Sequence, residues 1–408
     1  MRQNTGMILE PKRNNKIRTA KFISACGITS KAEIARALNL SMPTTLANVK
    51  ELIRAGIVTE EGEYESTGGR RAKALAIRRD AGYAAGIDIT NNHITMVMTD
   101  AGKNIIASER IRRRFVNDPQ YYDGLKDTAE DFIQRQKVNA EKIAGIGFSL
   151  PGIVDRGQDR LLRSHTLQVE NVSFRSLGAA LGYPFSLEND ANCAALAEVG
   201  DIFGSSDPLI TYPGLLERRT GGGMPGGQNG AEAVFVKCPV TVYLSLSNTV
   251  GGAIFLGNDL YRGENFKSAE FGHMVIEKNG RPCYCGKKGC MDAYCTALRL
   301  QDLSGGNLEA FFDKVRKREP EALKVWEEYL DHLALSVTNL RMIFDCRIIL
   351  GGYVGGFLEG FMPELSRKVM EYNNFDLDTS YLYTGRYKYE ASAYGAALGY
   401  IDSIFENI

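Results

Sequence analysis

Apolar residues recur at helical spacing through residues 16–27 (KIRTAKFISACG), and the stretch ends on a glycine stop. Residues 30–40 (SKAEIARALNL) open on a serine with Glu33 three positions on, the pattern of a capping box. After a short turn, residues 41–56 (SMPTTLANVKELIRAG) predict a second helix. Ser41 caps it, Leu46, Val49, Leu52 and Ile53 share one face, and Gly56 stops it. Two helices joined by a tight turn make a helix-turn-helix pattern. Residues 57–78 alternate weakly around Gly62 and Gly68-Gly69 and predict a β-hairpin wing.

From Gly82 the period changes. Residues 83–89, 93–100 and 103–110 predict three strands, with turns at Asn91-Asn92 and Ala101-Gly102. A helix is expected over 119–138, a buried strand over 143–149, a strand over 185–189 and a helix over 190–204. Further on, strands are expected at 240–247, 251–257 and 346–350, helices within 308–344, and a last helix near 391–405. Strands mixed with helices in this order suggest an α/β body with a crevice between two lobes. The division is then a DNA-binding unit at 1–80 and a body at 81–408. Residues 205–237, with Gly221-Gly222-Gly223 and Gly226-Gly227, read as a flexible surface insertion, or as a lid or partner site.

At 408 residues the chain is long for one ordinary core. No apolar run approaches the roughly 20 residues of a membrane helix, and the basic first 30 residues lack a signal-peptide core, so a cytoplasmic protein is expected. The net charge is zero but unevenly spread. Residues 1–80 hold 15 Lys+Arg against 8 Asp+Glu, and the rest of the chain holds 34 against 41. A basic front on an acidic body points to a polyanion partner at the N-terminus only.

In the second helix, Ser41, Thr44, Thr45, Asn48 and Lys50 are candidates for contact with a DNA major groove. In the wing, Gly69 beside Arg70 and Arg71 suits a narrow, negative minor groove; two adjacent arginines also suit a solvated turn. The sharpest chemical signal lies further on. His273, Cys283, Cys285 and Cys290 read H-x9-C-x-C-x4-C, with Gly286 and Gly289 supplying tight turns. Four soft N/S donors suit tetrahedral zinc and leave no open position, so the site should be structural, one Zn2+ per chain within a loop spanning 273–290. At 188–192 (Glu-Asn-Asp-Ala-Asn) a strand meets a helix, where Asp190 can serve as an N-cap or as a general base facing a ligand hydroxyl.

Taken together, LENDAN (187–192), YRGENFKSAEFGHM (261–274), CYCGKKGCMDAY (283–294) and LGG (350–352) resemble the ROK family of repressors, open reading frames and kinases, from about residue 14 to 402. The GGRR wing is similar to the repressor branch. The resemblance implies an actin-like, sugar-kinase-like two-lobed fold behind the winged helix-turn-helix. It also implies sugar contacts by Asn189, Asp190, Glu270 and His273, with Gly152 of SLPG nearby. The family's glutamate two residues after the last metal cysteine is Asp292 here, either a shorter sugar contact or a cap of its own helix.

The phosphate loops depart from the family. Its kinases carry D-x-G-G-T and G-T-G-x-G-G; this chain has Asp88-Ile89-Thr90-Asn91-Asn92 and Ser247-Asn248-Thr249-Val250-Gly251-Gly252. Any Cβ there obstructs the backbone N–H groups that close on phosphates. Asp88 and Gly251-Gly252 survive, as a relic or as strand-turn geometry. The expectation is therefore a non-enzymatic, sugar-responsive repressor. It would bind operator DNA as a homodimer or homotetramer and a sugar or sugar phosphate in the cleft. An ATP-dependent hexose kinase with an added DNA-binding domain is the alternative.

Overall fold

The computed structural model of the chain describes residues 6–64, 72–203, 240–257 and 259–406. Two five-stranded mixed sheets organise the body. The first contains Tyr83–Ile89, His93–Asp100, Ile105–Arg112, Ile143–Leu150 and Phe185–Asn189. The second contains Val240–Leu246, Val250–Leu256, Asp259–Tyr261, Arg347–Gly351 and Leu382–Thr384. When the strands of each sheet are numbered along the chain, both have the order 3-2-1-4-5. In each, strands 1 to 3 are antiparallel and strands 4 and 5 add in parallel. The two lobes thus repeat one topology, although their strands share no sequence pattern that announces it.

Most expected elements are present. The third strand sits two residues later than expected, at Ile105–Arg112. The first helix is longer, Gly6–Cys26. Nothing in the pattern of residues 153–181 predicts regular structure. They form a three-stranded antiparallel sheet (Ile153–Asp155, Arg160–Ser164, Val169–Ser173) and a helix, Arg175–Leu181. Strands of three to five residues carrying Arg160, Arg163 and Glu170 are too short and too charged for periodicity to expose them. The Gly-rich segment 205–237 and the wing tip lie outside the described residues.

Between the two sheets lie two helices built mostly of small residues, Asp190–Phe203 and Ala391–Ile401. The second packs on the first sheet, the first packs on the second sheet, and the two helices cross each other. At the crossing a Cβ on Gly395 would stand 1.7 Å from the Cys193 carbonyl oxygen. Beneath, a Cβ on Gly86 would meet the Ala393 carbonyl at 1.8 Å, and one on Gly147 the Ala396 carbonyl at 2.2 Å. Backbone meets backbone at these points, which only glycine permits. Glu198, fully buried, accepts from the N–H groups of Arg386 (2.8 Å) and Tyr387 (2.9 Å), tying the inner helix to the approach of the last one.

The N-terminal unit comprises Gly6–Cys26, Lys31–Ala37, Met42–Arg54 and a sheet of Ile28–Thr29, Val58–Tyr64 and Ala72–Ile77. It has no separate core. Ala20, Phe22, Ile23, Ile34, Leu52 and Leu75 join Ala84, Ala101, Ala397, Ile401 and Phe405 of the body in one apolar cluster. The winged helix is therefore seated on the end of the last helix rather than hung from a linker.

The crossing makes a paired prediction. Gly395→Ala places a methyl inside a carbonyl contact and should destabilise the fold by about 1–3 kcal/mol, the scale of overpacking. Gly399, on the exposed side of the same helix, has open space around it. Gly399→Ala should stabilise by about 0.5–1 kcal/mol through helix propensity. Denaturant unfolding of the two variants should give opposite signs.

Candidate functional site

The strand Phe185–Asn189 runs directly into the helix Asp190–Phe203, and this junction forms one wall of a cleft of about 250 Å³ between the lobes. Asn189 is used in both directions. Its Nδ2 donates to the Gly152 carbonyl (2.9 Å) and its Oδ1 accepts from the Asn192 N–H (3.1 Å). Gly152 adopts φ +128°, and a Cβ there would lie 2.3 Å from the Arg163 carbonyl, so the loop after Leu150 requires glycine at this point. Across the cleft, Glu270 and His273 descend from the short turn Phe271–His273. Gly152, Asn189, Asp190, Glu270 and His273 therefore all line one cavity.

Asp190 stands at the first position of its helix with Oδ1 on the Ala191 N–H (2.9 Å). Burial raises its carboxyl to about 7, and the nearby charges of Asp88 and Glu270 push the same way. Such a group can accept a proton from a sugar hydroxyl or simply hydrogen-bond it. Asp88, held by the Ser149 hydroxyl at 2.6 Å, is raised to about 6 by burial. Glu270 is raised for the same reason.

Several lining residues carry no motif of their own that marks them in the sequence. Glu188 is nearly enclosed; its Oε2 accepts from Arg262 Nε (3.0 Å) and Nη2 (2.8 Å), and its Oε1 from Asn192 Nδ2 (3.0 Å). Both Glu188 and Arg262 fall inside the stretches already singled out, beside residues that drew the attention. His165 and Lys267 lie at the rim, His165 on a segment given no element.

Asp292 corrects the sequence expectation: it is neither a cleft-lining residue nor the cap of its short helix, but the first residue of Asp292–Cys295, behind Met291 at the cap. Its Oδ1 accepts from the Val250 N–H at 2.7 Å, and burial raises its carboxyl to about 6. The carboxylate is committed to the turn of the hairpin formed by Val240–Leu246 and Val250–Leu256. The surviving Gly251-Gly252 pair also has a structural reason. A Cβ on Gly251 would meet Ala191 at 2.8 Å, and one on Gly252 would meet Phe271 at 2.4 Å.

The donor atoms of His273, Cys283, Cys285 and Cys290 lie within 4.8 Å of one another. Cys285 Sγ and Cys290 Sγ are 3.8 Å apart, and Cys283 Sγ is 3.7 Å from His273 Nδ1. Metal–sulfur bonds of ~2.3 Å in a tetrahedron give edges of about this length, so the donor set fits one four-coordinate ion. Gly289 (φ +79°) abuts the Glu277 carbonyl and Gly286 (φ +89°) makes the turn, as a compact thiolate loop requires. With Nδ1 turned to the cysteines, His273 Nε2 faces the Tyr284 hydroxyl at 3.3 Å.

In the N-terminal unit, Ser41 caps its helix by accepting from the Thr44 N–H (3.3 Å), and Ser30 caps the preceding one through the Glu33 N–H (3.2 Å). The outward face differs from expectation. Thr45 is fully buried, its hydroxyl on the Ser41 carbonyl (3.1 Å). Asn48 is buried as well and donates to Thr19 Oγ1 (3.2 Å). Because both polar groups find partners inside, the helix turns Leu46 and Ile53, expected in the core, toward solvent. Ser41 and Lys50 are exposed and Thr44 is half-buried. Arg70 and Arg71 lie outside the described residues.

The ROK family profile matches residues 84–207 and 231–402. The chain belongs to the ROK family. A winged helix-turn-helix DNA-binding profile matches residues 21–59 in front of that ROK body. The xylose repressor of Bacillus spizizenii is 28% identical over 328 residues, 79% of this chain and 77% of the repressor. A ROK family transcriptional regulator described as a homolog of the E. coli MLC protein superposes with a TM-score of 0.70 at 20% identity, covering 97% of both chains. The ROK hexokinase of Thermus thermophilus superposes at 0.56 and 22% identity, covering 78% of this chain and 97% of the hexokinase. The two superpositions share the fold. No described helix is long and apolar enough to cross a membrane.

Asp190 has a pH signature. Its carboxyl is raised from 3.8 to about 7 on folding, so between those values the folded chain holds more protons than the unfolded one. Stability from this group is present at low pH and declines as pH rises through about 7. Asp190→Asn should flatten that decline and raise the melting temperature at pH 8 more than at pH 5. An equal shift at both pH values would show that the carboxyl does not titrate in this range.

Proposed function

We propose that this ROK protein is a sugar-responsive transcription repressor without kinase activity, acting as a homodimer on an operator. The observation that carries the reading is the unequal state of the two halves of the cleft. The sugar-facing residues Asn189, Asp190, Glu270 and His273 converge on one cavity. At the turns that correspond to the phosphate loops of ROK kinases, Thr90 and Ser247 stand where the kinase pattern has glycine, and both side chains are bonded within the chain. Thr90 closes its turn on itself, its hydroxyl and N–H both donating to the His93 carbonyl. Ser247 Oγ accepts from the Tyr353 N–H at 3.3 Å. Beside Asp88, the Arg110 guanidinium lies over the rings of Tyr389 (4.0 Å) and Tyr353 (5.6 Å) of the opposite lobe. A base without a cradle for the phosphoryl group accelerates nothing, because that transfer depends on positioning and charge stabilisation.

The ion fitting His273, Cys283, Cys285 and Cys290 is zinc in this reading. It is structural, because four protein donors leave no open position. It would hold the turn that presents Glu270 and His273. The effector is a monosaccharide or its phosphate; the likeness to a xylose repressor makes an aldopentose the first to test. A route to the DNA end exists in the packing. Asp190 heads the helix that crosses Ala391–Ile401, and the far end of the latter lies in the winged-helix core. A sugar that binds one lobe arrangement more tightly than the other would change the setting of the two winged helices on the operator.

Calorimetry with Mg-ATP and a monosaccharide panel, followed by DNA release with the same sugars, tests the reading. A sugar should bind and alter operator affinity, ATP should not bind, and Asp190→Asn should weaken the sugar by about 1–3 kcal/mol while operator binding persists. Sugar-dependent ATP consumption that vanishes in Asp190→Asn would make the protein a kinase instead. Separately, Cys285→Ser should lose the bound zinc and the sugar response, since site formation and folding are coupled. Elemental analysis that finds no zinc in the unaltered protein would remove the metal from the account.

A further inference from the structure

The helix Met42–Arg54 buries Thr45, Asn48, Val49 and Leu52, which leaves an unusual outward face. Met42 is 45% exposed and Leu46 47% exposed, and Pro43 and Ala47 beside them are open as well. Met42, Leu46 and Lys50 are spaced by four, so they form one ridge along the helix. The two hydroxyls at this end of the helix are bonded to each other. Ser41 Oγ lies 2.8 Å from Thr44 Oγ1 and also accepts the Thr44 N–H. Asn48, the side chain best suited to an adenine edge, is turned inward onto Thr19. The first two turns of the helix thus present methyls and a thioether to the outside, flanked by the exposed cations Lys50 and Arg54.

We propose that Met42 and Leu46 read thymine 5-methyl groups in the major groove, so that each half-site is specified by apolar contact rather than by a hydrogen-bond code. The inference rests on the DNA-binding reading above. In a recognition helix the N-terminal residues face the base edges, and the thymine methyl is the one apolar group the major groove displays. Lys50, exposed further along the ridge, would meet a backbone phosphate in this arrangement. An apolar ridge beside cations matches a groove rich in thymine and lined by phosphates. It does not match a guanine edge, which asks for a bidentate donor that no described residue on the first two turns of this ridge supplies.

The test uses the full-length, zinc-loaded protein and a pool of duplexes with a randomised core. The enriched duplex is remade with deoxyuridine replacing thymidines of the half-site one at a time, which removes the methyl and keeps every hydrogen bond. Affinity should fall about fourfold at the thymidines facing the helix, the factor for one buried methyl group at ~0.8 kcal/mol. Leu46→Ala should bind the thymidine duplex more weakly and show no further loss on the uridine duplex. Unchanged affinity of the unaltered protein for every uridine duplex overturns the proposal, as does an enriched half-site without thymidine. Failure of any duplex to enrich overturns the DNA-binding reading along with it, whereas enrichment with silent uridine substitutions overturns only the methyl readout. If uridine is silent and Leu46→Ala shifts the oligomeric state in sedimentation, the ridge belongs to a contact between copies of this chain.

Discussion

The close crossing of Asp190–Phe203 and Ala391–Ile401 is the contact on which the rest of the molecule depends. Gly395 lies against the Cys193 carbonyl, and Gly86 and Gly147 let the last helix sink onto the first sheet. At the Gly395 contact no side chain stands between the two backbones, so there is no rotamer freedom there with which to absorb a displacement. Close-packed interiors transmit strain rather than dissipating it. The cleft wall at Asp190 begins at the N-terminus of one of these helices and the winged-helix seat lies at the C-terminus of the other. The same glycines that make the core compact therefore set the distance between the two functional ends.

The cleft manages its carboxylates in two ways. Glu188 is surrounded by donors, with Arg262 and Arg156 on one oxygen and Asn192 and the Asn189 N–H on the other, and it braces the wall. Asp88 and Asp292 are buried and Asp190 is half-buried, with no cation bonded to any of them, and their carboxyls are raised accordingly. Desolvation without a countercharge is costly to the ionised form, and such groups take up hydrogen-bond donors readily. Among these three only Asp190 faces the cavity, since Asp88 is closed by Ser149 and Asp292 by the Val250 N–H. A sugar hydroxyl is the kind of donor that position lacks.

Local chemistry was legible in the sequence. The caps at Ser30 and Ser41, the glycine stops, the strand hairpins after Gly82 and the His–Cys group that could hold a metal depend on neighbours a few residues away, so spacing alone reveals them. The convergence of Asn189, Asp190, Glu270 and His273 was legible only through resemblance, because they come from segments some 80 residues apart. The strands within 153–173 were not legible at all. Short charged strands owe their existence to the partners they pair with rather than to their own pattern.

What the sequence determined by itself was the inventory: a basic winged helix-turn-helix, an α/β body and a histidine–cysteine cluster. Tertiary structure decided how that inventory faces. Asn48 turns inward because Thr19 supplies a partner, and Leu46 is exposed as a result. Asp292 leaves the cleft because the Val250 N–H lies within its reach. Gly251-Gly252 persists because Ala191 and Phe271 fill the space beside it. In each case the deciding atom belongs to another part of the chain, and the balance between water and a buried partner is struck only once packing brings the two together.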